Sequence, residues 1–176
     1  MTDRLPQSDV VPPAVWARRI APRLYWPERF ACLIGAGLLA SVLAVAAILN
    51  PYLNDAGEAL PPGEHRAMGT HQQMGLPSCH FLVMSGLPCP SCGMTTSFAL
   101  LMHGDPIGSW RVNGVGTFMA LYCLLSIPLA LFGAIAGRLP VVHSLEWWAL
   151  ASIGGFLPLL LVRWLWVVSQ SLLGAG

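Results

Sequence analysis

Charge is what this chain has least of, and lysine is absent altogether. Its nine basic residues are all arginine, they face eight acidic ones, and the formal net charge is +1 over 176 residues. So small an excess of positive charge gives no electrostatic footprint for a polyanion, and nucleic acid is excluded as an expected partner. The acidic residues (Asp3, Asp9, Glu28, Asp55, Glu58, Glu64, Asp105 and Glu146) all lie outside the long apolar runs. That leaves no intramembrane carboxylate for proton transport and no paired acids for hydrolysis. No P-loop, no Gly-x-Gly-x-x-Gly fingerprint and no internal repeat occurs.

What is present is apolar. Hydrophobic residues make up 55% of the chain, well beyond the soluble norm for so few charges. Three runs are long enough for a bilayer core of about 30 Å, which needs roughly 20 helical residues. The predicted spans are Phe30–Leu49, Gly114–Gly137 and Trp147–Trp166. Pro128 predicts a kink in the second, and its Gly133-Ala134-Ile135-Ala136-Gly137 end is a small-xxx-small pattern suited to helix packing. Tryptophan pairs bracket the third, at the spacing of interfacial belts, with Arg163 read as snorkelling to the far interface. The fold class is therefore an all-α integral membrane protein with three transmembrane helices.

Arg18, Arg19, Arg23 and Arg29 precede the first span. They resemble the basic start of a signal peptide, but the apolar run outlasts a typical signal core, so a retained anchor is expected. The positive-inside rule then places residues 1–29 in the cytoplasm as a Pro-broken lead, and Arg138 in the second link agrees. Residues 50–78 form a polar loop on the outward side, 79–113 a cysteine motif and short helix, and 167–176 a C-terminal tail.

The chemistry-bearing residues sit in the 79–113 segment. Cys79, Cys89 and Cys92 form a Cys-x9-Cys-x2-Cys motif, and thiolates held together by Pro and Gly turns ligate metals, exchange electrons or close disulfides. Pro90 suits a first helical turn, and Met94, Phe98, Leu101 and Met102 recur at helical spacing before His103-Gly104. This predicts a helix of about 14 residues, too short to span, lying in the interface or re-entering partway. A helix N-terminus beside Cys89 and Cys92 would favour a thiolate. Thr95 and Thr96, one turn on from Cys92, would then lie beside its thiol or bond back to the helix.

Three uses follow. In the first, Cys79 pairs with Cys89 or Cys92 as a disulfide that staples a partner-docking loop, in a non-enzymatic membrane subunit. In the second, the three cysteines bind zinc or another thiophilic metal, with His80 as the fourth ligand and His71 and His65 as further candidates; His103 lies about 16 Å along the helix and is excluded in favour of capping. In the third, a membrane thiol–disulfide oxidoreductase uses Cys89 as attacking thiol, resolved by Cys92 or Cys79. The balance of residues leans away from an enzyme. Cys32 and Cys123, inside apolar spans, are read as packed small hydrophobes.

The run from Cys79 through Asn113, with Gly86, Pro88-Cys89-Pro90, Cys92-Gly93, Thr95, Gly104-Asp105 and Asn113, resembles the small bacterial membrane proteins catalogued as domain of unknown function 2752. The family usually has Arg where this chain has Thr96, and Asn-Pro where it has Asn113-Gly114. The resemblance implies a membrane location and a cysteine-centred motif, with no established activity; the bacterial inner membrane is the expected location, the lipid bilayer is an expected partner, and the docking-loop reading adds a membrane protein partner.

Overall fold

The first apolar run begins its helix earlier than its hydropathy suggests. Pro27 stands in the first turn and Glu28 accepts the Tyr25 N–H at 2.7 Å, so α1 starts at Trp26 and runs to Ile48. In the computed structural model, residues 24–138 and 145–174 are described. Arg18, Arg19 and Arg23, most of the N-terminal lead and the last two residues of the tail lie outside them.

Beyond α1 come a short 3-10 turn at Thr70–Met74, α2 at His80–Ser85, α3 at Met94–Met102, α4 at Pro106–Ala136 and α5 at Leu145–Leu172. No strand occurs among the described residues; one isolated bridge joins Leu53 and Ala59. Helices α1, α4 and α5 are long and apolar enough to cross a membrane. Cys32, Ala36, Leu43 and Ala46 recur along α1 at helical spacing, and they are its buried face.

Two clusters join α1 to its neighbours. Near one end, Cys32 meets Ala134, with Leu24, Leu129 and Ala130 around them. There Arg29 donates to the carbonyls of Ala134 and Ile135 at 2.6 and 3.1 Å, the bonds that cap the C-terminal turn of α4. Near the other end, Leu43 and Ala46 pack with Phe98, Ala120 and Cys123. Both Cys32 and Cys123 are thus buried among apolar side chains and lie away from the cysteine motif.

Helix α4 starts at Pro106, well before the predicted span. Asp105 is its N-cap and accepts from the Gly108 N–H at 2.8 Å, and Pro106 supplies a preset φ. At 31 residues the helix is about 46 Å long, more than a bilayer core requires. Its first turns therefore flank α3 instead of crossing. The break in it falls at Asn113 (φ −154°, ψ 95°) and not at Pro128, which stays in helical geometry.

Helix α5 touches the others at two places. Tyr122 stacks on Trp148, with centroids 5.5 Å apart, meets Phe156 edge-on and hydrogen-bonds Ser152. The second place is the cysteine loop. The Arg163 guanidinium donates to the Val112 carbonyl at 3.0 Å, and Trp164 donates its indole N–H to the Pro88 carbonyl at 2.9 Å. One tryptophan of each expected belt, Trp148 and Trp164, is thereby a packing residue.

Candidate cysteine site

The backbone between α2 and α3 is a sequence of tight turns, and each turn has a residue that requires it. Gly86 ends α2 at φ 69°, with its N–H on Leu82 at 2.9 Å. Pro88 presents its carbonyl to Trp164. Pro90 then takes the second position of a turn closed by Cys92 N–H to Cys89 carbonyl at 3.1 Å, a place its fixed φ favours.

Gly93 adopts φ 79°, where a Cβ would stand 2.9 Å from Val112 Cγ1 and 3.2 Å from the Ala67 carbonyl oxygen. This left-handed residue stops any helix from running through from Pro90, so α3 starts at Met94 and is 9 residues long instead of about 14. The short helix α2, by contrast, has no strong sequence signal. His103 is the C-cap of α3, and its ring bonds the Ala99 carbonyl at 2.8 Å.

These turns bring three sulfurs together. The Sγ atoms of Cys79, Cys89 and Cys92 all lie within 4.8 Å of one another. Cys89 and Cys92 are the tight pair at 3.1 Å, and the Cys89 N–H points at Cys92 Sγ at 3.2 Å. All three are free thiols and half-buried.

The motif immediately precedes α3, whose N-cap is Gly93, and individual donors favour a thiolate at Cys89. Burial opposes ionisation of Cys89, but the Ser91 hydroxyl, the Cys92 and Cys79 thiols and the Ser91 backbone N–H together outweigh it, and the thiol comes down to about 7. Cys92 is pushed up to about 12 by burial, by the thiol hydrogen bonds of Cys89 and Cys79 and by the Cys89 charge, against the Cys89 backbone N–H. Near neutral pH the pair thus shares a proton that resides on Cys92.

The sulfurs line a cavity of about 490 Å³ roofed by the 50–78 loop, where Asp55 pairs with Arg66 and His71 and Gln72 complete the wall. His71 faces this cavity with its Nε2 3.2 Å from the Pro77 carbonyl. His80, the expected fourth ligand, is exposed at the start of α2 and outside the sulfur cluster, and His65 bonds the Arg66 carbonyl.

The two threonines part company. Thr96 is fully buried and its hydroxyl meets that of Thr70 at 2.8 Å, fixing the 3-10 turn to α3. Its hydrogen bond thus goes neither to the Cys92 thiol nor to a carbonyl of its own helix, though it too borders the cavity. Thr95 is half-buried and lines the cavity.

Asn113 joins the motif to α4. Its Nδ2 donates to the Cys92 carbonyl at 3.2 Å, and its Oδ1 accepts from Gly116 N–H at 3.0 Å. It is an N-cap inside a helix. Around it, Ser109 donates to the Ser97 carbonyl at 2.7 Å and meets Thr117 at 2.7 Å, and a Cβ on Gly116 would collide with Ser97 Oγ. Small residues let α3 and α4 approach this closely.

Sequence reasoning missed Arg163, Trp164, Thr70 and Val112 as parts of the site. Arg163 carried a signal, since a charged residue inside an apolar span seldom lacks a role.

A helical chain with three membrane-compatible helices and a three-thiol loop at one end is the class these features define. Residues 79–127 match the family described as protein of unknown function (DUF2752), which bears out the resemblance read from Cys79 to Asn113 and extends it to the first half of the spanning part of α4. No match was found among curated proteins or among solved structures.

Proposed function

We propose that this chain is a membrane protein that binds a thiophilic metal ion through Cys79, Cys89 and Cys92, without being an enzyme. The observation that carries the reading is the convergence of three sulfurs within 4.8 Å. Around a zinc ion with Zn–S near 2.3 Å, tetrahedral sulfurs stand about 3.8 Å apart, so small side-chain rotations suffice. An all-sulfur set suits soft ions, zinc or monovalent copper among them. The cavity beside the cluster leaves room for a further ligand. A disulfide staple needs two of the sulfurs and gives the third no task.

We place the site on the outward side of a bacterial cytoplasmic membrane, at the end of the bundle opposite Arg29. The arginines ahead of α1 support that orientation. Purification in detergent under anaerobic conditions, followed by elemental analysis and thiol titration, tests the proposal. One equivalent of metal is expected, lost in Cys92→Ser; metal-free protein after zinc loading overturns it.

A second reading is favoured by the 3.1 Å Cys89–Cys92 approach and the unequal acidity of the two thiols. Here Cys89 thiolate attacks a partner's disulfide and Cys92 resolves the mixed disulfide. Two electrons pass to the partner, the Cys92 proton and one taken from solvent end on its two thiols, and Cys89 and Cys92 are left bonded. A defined two-electron potential, unaffected by chelators, would favour this reading over the metal.

A further inference from the structure

Arg163 is an unexplained charge among the described residues. It stands on an apolar helix, half-buried, and the one ion pair among the described residues is Arg66 with Asp55, so no carboxylate neutralises it. A guanidinium in such a place needs a partner. Its hydrogen bond goes to the Val112 carbonyl, and Val112 is the residue packed on Gly93, next to Cys92. One residue on, Trp164 holds the carbonyl of Pro88, next to Cys89. Phe81 of α2 meets the Trp164 ring at 6.2 Å, so α5 grips the cysteine loop from both sides of the Cys89–Cys92 turn.

We infer that Arg163 is the counter-ion of the thiolate cluster, a positioning residue delivered by α5 that makes the metal-loaded state electrically affordable. This rests on the metal-binding reading. Binding a divalent ion by three thiols releases three protons to solvent and leaves a tris-thiolate complex of charge −1. In a half-buried setting that charge is costly without a nearby cation. The groups facing the cluster across the cavity do not supply one, because Arg66 is already paired with Asp55 and the His71 ring is bonded to the Pro77 carbonyl. Arg163 does.

The test uses the full chain in detergent, zinc alone as the probe ion, and competition against a chromophoric chelator. Arg163→Gln is expected to weaken zinc about tenfold, the range seen when groups supporting metal ligands are removed. Arg163→Lys keeps the charge and is expected to stay within about threefold of the wild type. Trp164→Phe, which removes the indole N–H but no charge, is expected to do the same. Wild-type affinity in Arg163→Gln overturns the inference while leaving the metal reading intact, and so does a folded Arg163→Lys as weak as the Gln variant. Should Arg163→Gln fail to fold, a tenfold loss in folded Arg163→Lys still overturns it. A wild-type chain that takes no zinc overturns both readings.

Discussion

The side-chain amide of Asn113 spans two structures at once: it donates to the carbonyl of Cys92, 21 residues earlier, and accepts from the backbone of Gly116 in its own helix. Asn113→Ala removes the cap and the tie together and is expected to cost about 1–3 kcal/mol. Asn113→Asp keeps the acceptor for Gly116 but not the donor for Cys92. Thermal unfolding in detergent should rank the wild type above Asp and Asp above Ala, with faster alkylation of the cysteines in both variants.

Gly93 is expected to tolerate no side chain. Gly93→Ala places a Cβ in the left-handed region, a cost of roughly 1–2 kcal/mol, and against Val112 and the Ala67 carbonyl as well. Reduced melting temperature and loss of zinc retention should appear together. A variant as stable as the wild type would contradict the turn geometry.

The acidities of the two thiols give a pH profile for the metal-free protein. Cys89, brought down to about 7, should be half-maximally reactive to iodoacetamide near that pH, reacting more slowly below it and at a plateau above. Cys92, pushed up to about 12, should stay unreactive throughout. In Cys92→Ala the lost hydrogen bond should move the Cys89 midpoint upward. Mass spectrometry of peptides after timed alkylation checks all three outcomes.

The Thr70–Thr96 pair predicts non-additive mutations. Thr96→Val leaves the Thr70 hydroxyl buried and unpaired, costing about 1–3 kcal/mol. The double variant Thr70→Val, Thr96→Val removes both partners and should recover part of that loss, giving a coupling energy measurable by a double-mutant cycle.

The spans were legible because length and hydropathy alone decide them, and the cysteines because their density has few other uses. The ends were harder. Asp105-Pro106 is a sound helix-start signal, yet the uncharged run after Arg111 set the predicted boundary at Gly114. Gly93 followed a proline that seemed to open a helix, and only the contacts of Val112 and Ala67 show why a glycine is needed there. The partners of Arg163 and Trp164 are not readable locally: Val112 lies 51 residues from Arg163 and Pro88 76 residues from Trp164. Nothing local encodes such pairings. Thr96 likewise depends on Thr70, across a loop whose course no periodicity reveals.

The internal cap at Asn113 also acts as a depth gauge. From Gly114 to Ala136 the helix is about 34 Å long, close to a hydrocarbon core with its margins. With the membrane placement proposed above, its upper rim would be the amide that holds the Cys92 carbonyl, and the thiols would neither sink towards the lipid nor rise from it without uncapping the span. A bilayer of different thickness would be accommodated at the Gly137 end or by tilt. The height of the sulfurs above the acyl chains would stay constant.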